Sequence, residues 1–150
     1  TLFRSPWYYL EDSPVELFGL KIWGTPHQPI YNNWAFNLSE EDLAHKFQVI
    51  PTGLDILVTH GPPQGFGDLI DGQHVGSHAL RERIDLVKPK LHIFGHIHEG
   101  RGIFERDYGV LANATLRDGD YRICYPPMEF IGDNTAQRIA RCGGYESGLD

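Results

Sequence analysis

The 150 residues predict an α/β fold, and three observations carry that expectation. Asp55 to Thr59 ("DILVT") and Leu91 to Phe94 ("LHIF") are short apolar runs bounded by polar residues, the form of strands buried on both faces. Ser77 to Val87, between them, carries Leu80, Ile84 and Val87 on one helical face. Strand, helix, strand in that order is a βαβ unit, for which a right-handed parallel crossover is the default.

The remaining elements follow along the chain. Val15 to Trp23 is strand material broken at Phe18-Gly19, which predicts a hairpin between "VEL" and "LKIW". Gly24 to Asn33 ("GTPHQPIYNN") is loop by its Gly, Pro and Asn content. Ser39 followed by Asp42 is a capping box with Asp in the place of Glu, and it predicts a helix over 40–47. His60-Gly61-Pro62-Pro63 is loop, stiffened by its prolines. Ser77 caps the main helix, Pro89 lies beyond its end, and Arg81 and Asp85 sit four apart on its wet face. Gly95 is expected to let the backbone turn sharply and approach a ligand. Ile103 to Glu105 and Val110 to Ala114 suggest two more strands, joined through Asp107-Tyr108-Gly109. After Met128–Ile131 the pattern fades, which divides the chain into one domain over 1–132 and a weakly ordered tail over 133–150.

Composition narrows the functions. Hydrophobic content of 41% and charged content of 22% fit a globular protein. A net charge of −7 with no Lys/Arg cluster argues against duplex nucleic acid as a partner. A small anionic substrate stays open to an acidic protein if a metal supplies the local positive charge. Cys124 and Cys142 make neither a disulfide framework nor a zinc ribbon, which points to a reducing compartment. No apolar run approaches the roughly 18 residues of a membrane span, and no charged leader opens the sequence. A cytoplasmic protein with no membrane partner is the expectation.

The chemistry lies with the histidines. Ligands of open α/β sheets bind beyond the carboxyl ends of parallel strands. His60 is the first residue after strand 55–59, and His96 and His98 follow strand 91–94. Adjacent strands lie about 5 Å apart, so the three are predicted to gather at one sheet edge. Imidazoles grouped in this way suit Zn, Fe, Mn or Ni. A single histidine after a strand is ordinarily a polar loop residue; three at two strand ends, two of them (His60 and His96) beside a glycine, are a stronger signal.

"VTHGPP" at 58–63 and "IFGHIHEG" at 93–100 resemble the last two motifs of the calcineurin-like metallophosphoesterases, Gly-His/Thr-His and Gly-His-x-His. "YLEDS" at 9–13, "IWGTPHQP" at 22–29 and "WAFNL" at 34–38 resemble the metallophosphoesterase-domain-containing branch, so the likeness runs over residues 8–131. The resemblance implies the C-terminal part of the metallophosphatase two-sheet sandwich with flanking helices. It also implies hydrolysis of a small phosphomonoester or phosphodiester by metal-activated water, at a site holding two divalent transition metals (Mn, Fe or Zn) in the complete enzyme. Carried over by motif, His60 and His96 would bind one metal and His98 the other.

The family's first three motifs are Asp-x-His, Gly-Asp-x-x-Asp and Gly-Asn-His-Glu/Asp, which supply the remaining ligands and the general acid. The sequence contains no Asp-x-His and no Asn-His. Gly67 to Asp71 spells Gly-Asp-x-x-Asp, but it follows "THGPP" and leaves a Pro/Gly loop instead of a buried strand. It is therefore set aside as a ligand motif, with Asp68 kept as a loop or substrate-side residue. The expectation is the C-terminal portion of a longer enzyme, inactive alone, with no catalytic general acid and with an apolar sheet edge near 15–23 open to self-association. The alternative is a non-catalytic remnant that serves as a metal-binding or protein-interaction module.

His27 is a candidate for the mouth of the site, with plain loop residue as its alternative, and Arg101 is a candidate phosphate contact. Glu99 is within reach of a hydrogen bond that orients a ligand histidine. His92 alternates against Leu91 and Ile93 and reads as structural; His45, His74 and His78 read as solvated. Trp7, Trp23 and Trp34 read as packing residues, and Asn113-Ala114-Thr115 as a chance glycosylation sequon.

Overall fold

A computed structural model describes residues 7–132 and the backbone of 139–142. In chain order the elements are β1 (Ser13–Leu17), β2 (Leu20–Thr25), β3 (Gln28–Pro29), β4 (Asn37–Leu38), α1 (Glu40–Phe47) and β5 (Ile56–Thr59). There follow β6 (Leu69–Ile70), β7 (Gln73–His74), α2 (His78–Val87), β8 (Leu91–Phe94), a single 3-10 turn (His98–Gly100), β9 (Gly102–Glu105) and β10 (Val110–Asn113). The last two are β11 (Glu129–Gly132) and β12 (Ile139–Cys142).

Six strands form the main sheet in the order β1-β2-β5-β8-β10-β9. The inner four, β2, β5, β8 and β10, run parallel. β1 and β9 close the two sides antiparallel. The predicted β5–α2–β8 unit is present, and β2–α1–β5 is a second crossover of the same kind. The four parallel strands therefore end at one edge, and His60, His96 and Asn113 all lie at it.

Local chemistry explains the element ends. Phe18 (φ 53°) and Gly19 (φ 78°) both take the left-handed region, as a two-residue type I′ hairpin requires. Ser39 caps α1 by accepting from Asp42 N at 3.1 Å, while its own hydroxyl donates to Asp42 Oδ2 at 2.7 Å. Ser77 caps α2 by accepting from Leu80 N, and its hydroxyl donates to Glu40 of α1. α2 ends at Lys88 in the left-handed conformation, one residue before Pro89.

The register puts Trp23, Leu57, His92 and Leu111 side by side on one face of the sheet. Leu43 and Phe47 of α1 and Leu80, Ile84 and Val87 of α2 pack on that face to make a single core. On the other face Val58 is partly exposed. The chain thus has one layer of helices on one mixed sheet, consistent with a part of the two-layered sandwich. β1 is an open edge, and Phe18 at its hairpin tip is 99% exposed. No described helix is long and apolar enough to cross a membrane.

Some expectations change. Arg81 and Asp85, expected on a wet face, pair at 2.8 Å, but Arg106 and Tyr108 also bond Asp85, and both guanidinium groups lie over the Phe66 ring. This side of α2 is a half-buried cluster and not a wet face. The tail expected over 133–150 falls mostly outside the described residues, but within it Ile139–Cys142 pairs antiparallel with Glu129–Gly132.

Candidate functional site

The site is built where β5 and β8 end. The Gly95 amide donates to the His60 carbonyl at 3.0 Å, so the two loops are joined one residue before His96. This brings His60 Nε2 to 3.1 Å from His96 Nδ1, with ring centroids 4.7 Å apart. Two nitrogens at that spacing suit either a hydrogen bond or two ligands of one ion with metal–nitrogen bonds of about 2.0–2.1 Å. Burial lowers the His96 pKa to about 4, with the neighbouring His60 and His98 rings acting in the same direction. His60 is open to solvent at its outer edge, yet packing around its ring still pushes its pKa down. Both imidazoles are therefore neutral at pH 7, the state in which they can ligate.

His96 has φ 70°, a left-handed backbone that costs a non-glycine residue roughly 1–2 kcal/mol. The sharp turn expected of Gly95 is thus taken by His96 itself. A Cβ on Gly95 would meet nothing within 4 Å, so that glycine is not required by space. The strain at His96 is held by its surroundings. Tyr31 and Trp34 stand edge-on to its ring at 5.5 and 5.7 Å. Asn113 Nδ2 donates to the Ile97 carbonyl at 2.7 Å and to the Gly67 carbonyl at 3.1 Å, so the end of β10 suspends the loop between His96 and His98.

His98 is positioned separately. Its Nδ1 lies 2.8 Å from the Asp118 carbonyl. A carbonyl can only accept, so Nδ1 carries the proton and, in the neutral ring, Nε2 presents a lone pair. That arrangement matches what a ligating histidine needs from its second nitrogen. It is a backbone carbonyl, and not Glu99, that provides it. Among the described residues, no group of three or more His, Cys, Asp or Glu side chains is arranged to hold a metal. His60 and His96 have the spacing that two ligands of one ion would need, and the His98 ring is fixed separately by the Asp118 carbonyl.

The substrate-side candidates are placed elsewhere. Asp68 is 1% exposed; it accepts from Gly65 N, Gly76 N and His74 Nδ1, and so organises its own loop instead of facing a substrate. Asp71 (φ 48°) and Gly72 (φ 79°) form the tight turn between β6 and β7. His74 is exposed, as expected, and its Nδ1 also bonds Asp68 Oδ1 at 2.8 Å. His27 donates to Asp12 at 2.9 Å and packs edge-on against Phe36. Asp12 also accepts from Thr25 and Lys46. Burial works to raise the Asp12 pKa, but hydrogen bonds from Lys46, Thr25 and His27 outweigh it and hold the group below the usual carboxylate range. Arg101 donates to the carbonyls of Thr115 and Pro126 and stacks on Tyr125, so its guanidinium is spent on the protein's own chain.

Beside His60 lies a cleft of about 370 Å3 lined by Pro26, Gln28, Trp34, Ala35 and Phe36. Below it, His92 Nε2 is 2.9 Å from Thr59 Oγ1, and that hydroxyl donates to the Gly61 carbonyl at 2.8 Å. A hydroxyl has one proton to give, so His92 is the donor, and its Nδ1 is buried without a partner. Burial pushes the His92 pKa down to about 3. His92 is structural, as expected, and it braces the turn that carries His60.

Sequence reasoning missed Tyr31, Asn113 and Asp118. Asn113 was open to discovery, since it ends the next parallel strand at the same edge; its sequon drew attention to the wrong property. Being fully buried and bonded through both side-chain ends, it is not an accessible glycan acceptor.

No protein-family model matches the chain. The chain is 44% identical over 125 residues to a UPF0046 protein of Caenorhabditis elegans, covering 81% of this chain and 32% of that protein. It is 42% identical over 124 residues to Metallophosphoesterase domain-containing protein 1 of Homo sapiens, covering 80% of this chain and 38% of that one. A second Caenorhabditis elegans UPF0046 protein is 36% identical over 128 residues, covering 81% and 46%. The chain therefore spans between about a third and a half of the relatives it matches. One solved crystal structure aligns with a TM-score of 0.55 at 17% identity, over 70% of this chain and 44% of the other, a likeness of fold alone.

Proposed function

Because the chain belongs to the metallophosphoesterase-domain-containing branch, we propose that it carries the histidine side of a metal-dependent phosphoester hydrolase centre. The observation that carries this reading is the 3.1 Å approach of two neutral imidazoles, His60 and His96, at the ends of adjacent parallel strands. In the proposal His60 and His96 hold one divalent ion, and Nε2 of His98 is offered to a second. Such ions, when bound, lower the pKa of a bound water and offset charge on a phosphoryl group. The chain's own residues set the stage: burial keeps the imidazoles neutral, Tyr31 and Trp34 shield His96 from water on one side, and the cleft beside His60 leaves room for a small phosphoester.

The sequence's lack of Asp-x-His and Asn-His favours a second reading for this segment alone, that of a non-catalytic remnant serving as a metal-binding or protein-interaction module. Resemblance assigns the remaining ligands and the general acid to motifs that this sequence does not contain. General acid catalysis is typically worth 10²–10⁴-fold, so the 150-residue chain is expected to bind metal weakly and to hydrolyse poorly.

Two measurements test this. Calorimetric titration with Zn(II) or Mn(II) should give weak binding that His60→Ala or His96→Ala abolishes; binding that survives both substitutions would place the metal elsewhere. Mn-supported hydrolysis of bis-p-nitrophenyl phosphate should be slow and should be lost in His96→Ala. Turnover indifferent to that substitution would overturn the assignment.

A further inference from the structure

The stretch 115–126 lies outside the two histidine motifs, yet it closes over His98. Arg101 fastens its two ends, donating to the carbonyls of Thr115 and Pro126. Within it, Arg117 and Ile123 pair as an isolated antiparallel bridge, and the Asp118 amide donates to the Arg122 carbonyl at 3.0 Å. The Asp118 carboxylate accepts from the amides of Asp120 and Arg122, both at 2.9 Å. The Asp118 carbonyl accepts from Tyr121 N at 3.0 Å and from His98 Nδ1 at 2.8 Å, so both its lone pairs are used. Tyr121, at φ 63°, stands edge-on to the His98 ring at 4.9 Å. A Cβ on Gly119 would come within 3.1 Å of Glu99 Oε1, so the loop is also fitted against the residue beside His98.

We propose that residues 115–126 form a positioning strap for His98, in which Asp118 is the positioning residue: its carboxylate folds the strap so that its carbonyl fixes the Nδ1–H tautomer and presents Nε2 as a lone-pair donor. The strap's service to a metal rests on the function proposed above; the tautomer does not. A free neutral imidazole favours Nε2–H, the opposite form, so the strap imposes a state that the ring would not choose. The carbonyl belongs to the backbone, and the side chain of Asp118 is what holds it in place. Asparagine keeps an acceptor oxygen at the same position, while alanine keeps none.

The test is nitrogen-15 NMR of the histidine rings in the metal-free 150-residue chain, in alkaline buffer. Wild type should show His98 as Nδ1–H. Asp118→Ala should shift it to Nε2–H or to a mixture of both, and Asp118→Asn should restore Nδ1–H. Arg101→Met, which opens the base of the strap, should act in the same direction as Asp118→Ala and serves if that variant does not fold. His98 found as Nε2–H in wild type, or as Nδ1–H in both Asp118→Ala and Arg101→Met, would overturn the proposal. Titration with Zn(II) then separates the two readings. A Zn-dependent change at His98 Nε2 that Asp118→Ala weakens by about 10–100-fold supports both. The expected tautomers with no Zn response at His98 support the strap and overturn the metal assignment alone.

Discussion

The loop carrying His60 and the loop carrying His96 and His98 leave neighbouring parallel strands at one edge of the sheet, and they are held by different means. The His60 loop is braced from nearby. Thr59 bonds the Gly61 carbonyl, and the Ser77 amide at the α2 cap donates to the Pro62 carbonyl at 3.1 Å. Its residues keep ordinary backbone angles, apart from the downstream glycines Gly65 and Gly67. The second loop carries strain at His96 and is suspended from distant parts of the chain: Asn113 on β10, the Asp118 carbonyl, and a backbone contact between Gly100 and Gly67. A loop that must point two imidazoles, one residue apart, to different places cannot do so with local geometry alone. It needs outside anchors, and those anchors are where it can be broken.

Asn113→Ala should have the largest effect. It removes both carbonyl bonds of a fully buried amide and leaves Ile97 and Gly67 unsatisfied, a loss of about 2–4 kcal/mol. Urea denaturation measures it; a loss below about 1 kcal/mol would mean that the second loop does not hang from β10.

Gly100→Ala should follow. Its Cβ would clash with the Gly67 carbonyl oxygen, and relieving that clash should cost about 1–3 kcal/mol. In the same assay a stability equal to wild type would show that the two loops can slide apart freely.

Acid should weaken the His60 side through His92. That ring has a folded pKa of about 3 against an ordinary value of 6.5. Between these values the unfolded chain binds more protons, so its stabilising contribution is complete above pH 6.5 and falls as the pH drops. The slope from this one ring is at most about 1.4 kcal/mol per pH unit. Asp12 and Asp55, both with lowered pKa values, contribute in a separate window, below their ordinary 3.8. For Asp55 the first cause is the Lys21 amide and the second is Lys90. Thermal melts of wild type and His92→Gln across pH 4 to 6.5 should converge as acid removes the wild-type advantage; parallel curves would show that His92 does not titrate on unfolding.

Gly95→Ala should have the smallest effect, within about 0.5 kcal/mol, since open space surrounds its Cβ position. A loss of 2 kcal/mol or more would return to Gly95 the turning role that His96 takes here.

Much of this was legible in the residues. Apolar runs at 56–59 and 91–94 and the period of α2 foretold the βαβ unit, because each pattern reports which side of one element is dry. The strand-end rule placed His60 and His96 together, since it depends on topology and not on side-chain detail. Other features were hidden for a physical reason. Asp68 and Arg101 are charged residues in loops and look available; only packing shows that the amides of Gly65 and Gly76, and the carbonyls of Thr115 and Pro126, already use them. Asn113 and Asp118 act on the histidine loop across 16 and 20 residues.

By itself, then, the sequence determined the order of strands and helices, the edge at which the site lies and which imidazoles reach it, because these follow from periodicity, capping and strand polarity within short windows. The tertiary structure decided which nitrogen of each ring is free, which charged groups are already engaged and which residue bears the backbone strain. Those depend on hydrogen-bond partners brought in from elsewhere in the chain, and a carbonyl or an amide, present at nearly every residue, leaves no mark in the sequence of where it will be used.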